Sequence, residues 1–318
     1  MTKKMTSKFL VKRLSKSPYF LDSFFEYESK IISGTPNVEM LPMSSTELAD
    51  ILITNTHTKV ESLSCDQLSK CKLMIHPNSG YDNFTTTFVK NNHFPIIIGN
   101  PIRAHAVTNF ILTALFNHFG QTPTETKWNQ SRHWKRKLLS ESKILLIGQG
   151  HVGSLLKKSL SPLAKELRVY DPYINKTPLE LKEIDVIIPV CSLNAKNQYM
   201  IDRHFLSQCN NDFLIINAAR GHLVHTTELI EVLNEQPNAF AILDVFEKEP
   251  MDFSLFAKTP NVKLSSHMAG VFTSIDTATI SFEENCIRDF TTMDPLEFER
   301  KYKKLILKHR LIEDDFLI

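Results

Sequence analysis

The sequence predicts an α/β protein made of two doubly wound domains. Two observations carry that expectation. Short apolar runs alternate with helical periodicity along most of the chain, and the segment GQGHVG at 148–153 sits between one such strand and one such helix. A length of 318 residues suits two domains, each able to bury a core.

The first domain opens with KFLVKRL (8–14) as a strand and SPYFLDSFFEYESKIIS (17–33) as a helix. The first 21 residues hold six Lys or Arg and no acid, the composition of a transit peptide or a basic arm. The run lacks the apolar core of a secretory signal, so it is expected to belong to the folded domain. Three further strands follow: LADILITN (48–55), CKLMIH (71–76) and FPIIIGN (94–100). The apolar stretch 103–118 reads as a buried helix leading into the second domain. A polar stretch with both tryptophans, 121–137, follows it.

In the second domain, apolar strands are expected at 143–147, 166–170, 185–190, 213–217, 239–244 and 262–265, enough for a doubly wound sheet. Lys143 to Ile147 is the kind of run that a parallel strand buried on both faces requires. Helical spacing runs from Val152 to Leu163. The chain has only nine glycines, yet Gly148, Gly150 and Gly153 fall within six positions. In the Rossmann arrangement Gly148 permits the tight turn, Gly150 lets the backbone approach a pyrophosphate, and Gly153 lets the helix pack closely on the strand. His151 and Val152 open the helix, whose free N–H groups and dipole favour negative charge. Asp171 ends the next strand 21 residues past Gly150. A carboxylate there accepts hydrogen bonds from ribose hydroxyls and repels a 2′-phosphate, so the cofactor is expected to be NAD. After His267 the chain reads as helix and tail.

Three more segments place ionisable residues at strand ends, where open α/β sheets bind ligands. They are IINAARG, ending at Arg220 and Gly221; AILDVFEKEP, with Asp244 and Glu249; and KLSSHMAG, with His267. Each alone is ordinary: a surface ion-pair partner, a solvated acid, a satisfied histidine. Together, and in this order after GQGHVG, they resemble the D-isomer-specific 2-hydroxyacid dehydrogenases. INAARGHLVHTTELIEVL looks like that family's arginine signature, AILDVFEKEP like its Asp-Val-Phe-x-x-Glu-Pro segment, and SSHMAG like its histidine motif. PNSGYDNF (77–84) resembles the family loop whose amides hold the substrate carboxylate. The likeness runs from about residue 8 to about 290, and six of the nine glycines (80, 148, 150, 153, 221 and 270) fall in these motifs.

The resemblance implies a Rossmann NAD-binding domain at 103–269 and a smaller, discontinuous, flavodoxin-like substrate domain at 1–102 and 270–318, with the substrate in a cleft between them. It implies transfer of a hydride between NAD and a small D-2-hydroxy acid or its 2-oxo acid. His267 would exchange the hydroxyl proton, Glu249 would orient and stabilise its imidazole, and Arg220 would grip the carboxylate and the adjacent carbonyl oxygen. Asn78, Ser79 and Gly80 would give N–H groups to the same carboxylate. Asp244 would contact the nicotinamide carboxamide, and Cys191 and Ala218 would lie beside the cofactor.

The chain departs from the family pattern in places. Val-Cys-Ser-Leu-Asn at 190–194 stands where the family has a Pro-Leu-Thr segment, with Ser192 and Asn194 replacing the Pro and Thr; His225 replaces an Asp, and His105 replaces a Glu. Asn55 and His57 stand where phosphoglycerate dehydrogenases place arginines, which leaves a phosphorylated substrate open, with His57 and Arg103 as candidates. Formate dehydrogenases pair the histidine with a glutamine, so Glu249 argues against that branch. The family also includes corepressors that bind NAD and act through protein contacts, and an NAD-binding regulatory role stays the alternative.

A net charge of +2 gives no strong field for nucleic acid or membrane, and no apolar stretch approaches the length of a bilayer span. Five cysteines without a C-x-x-C pair suit a reducing compartment, and a cytoplasmic location is expected. No metal site is read. The resemblance suggests a homodimer built on the cofactor domain, using the tryptophan-bearing stretch.

Overall fold

The computed structural model describes residues 8–120, 124–131, 137–174, 178–312 and 315–316. Residues 1–7 of the basic arm, and 121–123 and 132–136 of the tryptophan-bearing stretch, lie outside the described residues. The chain divides into two compact units, one running through Arg103 and resuming at Phe272, the other spanning Ala104–Val271.

In the first unit, β1 (Phe9–Arg13), α1 (Asp22–Ser33), β2 (Val38–Leu41), β3 (Ile51–Ile53), α2 (Cys65–Lys70), β4 (Leu73–His76), α3 (Thr86–Asn91) and β5 (Ile96–Ile98) build a parallel sheet in the order β2-β1-β3-β4-β5. That is the flavodoxin-like order. The strands are apolar on both faces because both are covered. Ile51, Ile53, Leu73 and Ile75 pack against Ile32 of α1 and against Cys286 and Ile287 of a later helix, while Leu52 and Met74 face Val60, Phe84 and Val89. Strand β2, four residues with Glu39 exposed, is an edge strand absent from the expected set.

The division between the units falls within α4 (Asn100–Phe119), whose buried Ala104, Thr108, Ile111, Ala114 and Leu115 recur at helical spacing. The second unit then alternates β6 (Lys143–Ile147), α5 (His151–Leu160), β7 (Glu166–Tyr170), β8 (Val186–Pro189), α6 (Arg203–Ser207), β9 (Leu214–Asn217), α7 (Thr226–Glu235), β10 (Phe240–Leu243) and β11 (Val262–Leu264). Its six parallel strands run in the order β11-β10-β9-β8-β6-β7, so the winding reverses at β6. Successive residues of β6 enter opposite cores. Leu145 and Ile147 join Ile187, Ile215 and the α7 residues Leu229 and Leu233, whereas Ile144 and Leu146 join Ile111, Leu156 and Leu160.

Beyond the second unit, α8 (Ile275–Thr292) and α9 (Pro295–Tyr302) return to the first unit's core through Cys286, Ile287, Phe298 and Tyr302. Helix α8 also brings in the buried Glu283. Its Oε1 accepts from Arg13 Nη2 at 2.6 Å, while Glu28 of α1 takes Arg13 Nε and Nη2 at 2.6–2.9 Å. One guanidinium thus faces two carboxylates, all at most 1% exposed. Burial, with Glu28 alongside, pushes the Glu283 carboxyl well above its ordinary range.

The chain ends in a short antiparallel pair, β12 (Leu311–Ile312) and β13 (Asp315–Phe316). All five cysteines are free. No helix among the described residues is long and apolar enough to cross a membrane.

Candidate active site

Register sets the frame of the site. Ile147 pairs with Tyr170 and with Pro189, and Leu243 pairs with Asn217 and with Leu264. Residues 148, 171, 190, 218, 244 and 265 therefore leave their strands along one carboxyl edge, on both sides of the point where the winding reverses.

At that point the glycine turn leaves β6. Gly148 has φ +104°, and a Cβ there would lie 2.9 Å from the Cys191 backbone. A Cβ on Gly153 would lie 2.1 Å from Gly148 O, so α5 and the turn touch through bare backbone. Gly150 is the N-cap of α5 and offers no side-chain cap, so the helix opens on bare backbone at the glycine turn, the end whose dipole favours an anion. Side chains would fill this cradle; its emptiness fits a pyrophosphate.

Asp171 is only 1% exposed. Its Oδ2 accepts from Gln149 N–H at 2.8 Å and its Oδ1 from the N–H groups of Tyr173 and Ile174 at 3.1 and 3.2 Å. Both oxygens thus hold the glycine turn and the turn after β7. Cys191 is buried, which pushes its thiol up to about 12, so it forms an uncharged wall under Gly148. Asn194 secures the next turn, its Oδ1 accepting from Lys196 and Asn197 N–H. Ala218 lies half-buried beyond β9.

The proton-transfer candidates leave β9, β10 and β11. A Cβ on Gly221 would lie 1.9 Å from the Phe246 carbonyl carbon, so the backbone just after Arg220 lies against Phe246 and Glu247. Arg220 Nη1 donates to Ala219 O at 2.7 Å. Glu249 Oε1 accepts from Phe246 N–H at 3.0 Å, and Oε2 lies 2.7 Å from His267 Nδ1. A carboxylate only accepts, so Nδ1 carries the proton. His267 is 53% exposed and has φ +52°, a left-handed backbone that costs about 1–2 kcal/mol for a non-glycine residue.

Asp244 holds that conformation. It is fully buried, and its carboxylate accepts from Ser265 Oγ at 2.6 Å and from the N–H groups of Met268 and Ala269 at 2.9 and 2.8 Å. Its backbone carbonyl takes His267 N–H at 2.8 Å. The carboxylate points into the histidine loop and presents no exposed atom.

In the first unit, Asn78, Ser79 and Gly80 form a half-buried loop at the carboxyl end of β4. Fully buried His76, at the strand's end, lies 2.7 Å from Gly80 O through Nε2 and 2.8 Å from Thr54 Oγ1 through Nδ1. Asn55 is buried and committed, donating to Ser15 O and accepting from His57 N–H, while His57 is exposed beside Tyr19. Arg103 Nη1 donates to Pro77 O. Among the described residues, no group of three or more His, Cys, Asp or Glu side chains could hold a metal ion.

Residues 110–269 match the family model described as D-isomer specific 2-hydroxyacid dehydrogenase, NAD binding domain, which covers half of the chain. The chain belongs to the D-isomer-specific 2-hydroxyacid dehydrogenase family.

Among curated relatives of this 2-hydroxyacid dehydrogenase family member are a D-3-phosphoglycerate dehydrogenase of Methanocaldococcus jannaschii, 24% identical over 70% of this chain and 46% of the relative, and an erythronate-4-phosphate dehydrogenase of Blochmanniella floridana, 26% identical over 63% and 54%. The chain spans about half the length of the curated relatives it matches. Two solved structures share its fold with a TM-score of 0.68 over 92% of this chain and 98% of theirs: an NAD+-bound 3-phosphoglycerate dehydrogenase of Entamoeba histolytica at 16% identity, and a D-lactate dehydrogenase of Aquifex aeolicus with NAD and lactic acid at 17%. The domain at 110–269 is thus the family's NAD-binding domain.

In this family member His225, standing for the usual Asp, caps α7 with no side-chain bond. Glu247 takes that part, accepting from Thr226 N–H at 2.8 Å and from Tyr199 Oη at 2.9 Å. Burial alone would raise its carboxyl, but these donors hold it below the ordinary range. Sequence reading passed over Glu247, Ser265, Thr54 and His76. For His76 a signal existed: an imidazole closing an otherwise apolar strand beside the candidate substrate loop.

Proposed function

We propose that the chain is an NAD-dependent oxidoreductase that interconverts a small D-2-hydroxy acid and its 2-oxo acid. The observation that supports this most is the Glu249–His267 pair, 2.7 Å apart on the same sheet edge as the glycine turn. In this reading residues 103–269 are the NAD-binding domain and residues 1–102 with 270–318 the substrate domain. The Gly148–Gly153 turn and the amides of His151 and Val152 would hold the pyrophosphate of NAD, with Cys191 and Ala218 lining its path.

Bound NAD supplies the hydride acceptor or donor. During oxidation His267 Nε2 takes the hydroxyl proton, and during reduction it returns that proton to the oxygen formed from the carbonyl. Glu249 keeps the proton on Nδ1 and stabilises the imidazolium. Arg220, turning from Ala219 O, offers a fork of donors to the carboxylate, joined by the amides of Asn78, Ser79 and Gly80. Asp171 acts through the glycine turn and keeps a negative charge near the ribose end, which disfavours a 2′-phosphate. Asp244 acts through the loop that carries His267.

The test is oxidation of NADH and of NADPH with a panel of 2-oxo acids: glyoxylate, pyruvate, hydroxypyruvate, branched and phosphorylated examples. NADH-dependent turnover of at least one acid is expected, with His267→Ala slower by about 10²–10⁴-fold. No turnover with any acid, or wild-type rates in His267→Ala, would refute the reading.

A further inference from the structure

Four carbonyls around the loop 77–80 are tied to the body of the first unit. Gly99 N–H donates to His76 O at 2.8 Å and to Asn78 O at 3.0 Å. Arg103 Nη1 donates to Pro77 O at 3.1 Å, and His76 Nε2 lies 2.7 Å from Gly80 O. In a planar trans peptide the carbonyl of one residue and the N–H of the next point in opposite directions. Drawing Pro77 O and Asn78 O inward therefore turns the N–H groups of Asn78 and Ser79 outward. Among the described residues, no protein acceptor is paired with the N–H groups of Asn78, Ser79 or Gly80. Backbone held this way is ready to receive an anion.

Three of those four contacts come from Gly99 and Arg103, which hold the front of the loop. The Gly80 end is held by His76, which is fully buried and edge-on to Phe84 at 5.0 Å. Gly80 O can only accept, so Nε2 carries the proton. Nδ1 then accepts, and the Thr54 hydroxyl donates to it. Burial pushes the imidazole down to about 4, with Arg103 adding to the effect against the Gly80 hydrogen bond, so this arrangement persists at neutral pH.

We propose that His76 is a positioning residue for the substrate carboxylate: it clamps the Gly80 carbonyl and so fixes the Ser79–Gly80 turn, with the Thr54 hydroxyl donating to Nδ1 of the tautomer that can do this. The proposal rests on the reading that loop 78–80 receives that carboxylate. His76 touches neither substrate nor cofactor. Its loss should therefore weaken carboxylate binding equally in ground and transition states, raising KM while sparing kcat.

The experiment compares full-length wild type, His76→Leu and His76→Gln, the last able to keep an N–H near the imidazole Nε2. With whichever 2-oxo acid the wild type reduces, His76→Leu should raise KM about tenfold to a hundredfold, the worth of one hydrogen bond to a charged group. Saturated kcat and the NADH dissociation constant should stay within about twofold, and His76→Gln should recover most of the KM. A purely structural defect would lower kcat, raise both KM and the NADH dissociation constant, and would not be rescued. If His76→Leu does not fold, Thr54→Val serves, with KM expected to rise several-fold.

A second readout needs no turnover. In ¹H–¹⁵N spectra, oxamate should shift the Ser79 and Gly80 amides of the wild type and fail to do so at the same concentration in the His76→Leu chain, or in Thr54→Val if that is the variant that folds. That result would uphold His76 even if every 2-oxo acid proved inert. An unchanged KM in the folded variant, a His76→Gln as impaired as His76→Leu, or equal oxamate shifts in wild type and variant would each overturn the proposal.

Discussion

Gly153→Ala puts a methyl group where the structure has only the backbone of its own glycine turn. The added Cβ would lie 2.1 Å from Gly148 O and 2.9 Å from Gly148 C, against about 3.4 Å for ordinary contact. Helix α5 and the turn must therefore separate by about 1 Å, and neither side can yield by rotating a side chain. Leu156 and Leu160 on the same helix are fully buried, so the whole α5 face moves with it. Overpacking of this kind costs about 1–3 kcal/mol. In a domain of this size that corresponds to a Tm lower by about 4–8 °C at about 2 kcal/mol. The shift also carries the His151 and Val152 amides away from the phosphates, and losing one charged hydrogen bond weakens NADH by about tenfold to a hundredfold. Thermal unfolding by circular dichroism and NADH titration by fluorescence measure both effects. Lys158→Ala, on the exposed side of α5, is the control. A Gly153→Ala protein with wild-type Tm and wild-type NADH affinity would refute the close-packing argument.

Two further outcomes follow from the buried carboxylates and the proton relay. Glu249→Gln keeps a group able to accept from His267 Nδ1 but removes the charge that stabilises the imidazolium. Turnover of the 2-oxo acid should fall at least about a hundredfold with NADH affinity unchanged, and a smaller loss in steady-state kinetics would deny Glu249 its role. Glu283→Gln replaces this raised carboxyl by a neutral group of the same shape. A raised carboxyl means that the native state keeps a proton the unfolded chain releases, so its contribution to stability declines as pH rises above the ordinary carboxylate range. The variant should match wild type in Tm near pH 4 and lose less as the pH rises above the ordinary carboxylate range. A large drop near pH 6 would show that Glu283 is ionised and paired there.

Much of the second unit was legible from the sequence because its signals are local. The run from Lys143 to Ile147 is apolar at every position but the first, as burial on both faces demands, and the spacing from Val152 onward gives α5 directly. The six expected strands of that sheet occur within a residue or two of their expected bounds. Strand β2 escaped notice because four residues with an exposed glutamate carry almost no periodicity. Arg13, Glu28 and Glu283 read as ordinary charges on amphipathic segments, since nothing local announces a partner 270 positions away.

The sequence by itself determined the α/β class, the glycine turn with its strand and helix, the family, and the approach of Glu249 and His267 by way of strand ends. These follow from apolar period, glycine placement and motif order, all of which a linear chain displays. Tertiary structure alone decided where the polar groups point. Asp171 and Asp244 accept from backbone N–H groups of the glycine turn and of the His267 loop, and His76 clamps Gly80 from a strand that looks merely apolar. The physical reason is that a buried carboxylate or imidazole must find donors or acceptors wherever the fold supplies them. Those partners are backbone groups of loops that the sheet register brings alongside, and a sequence does not show register.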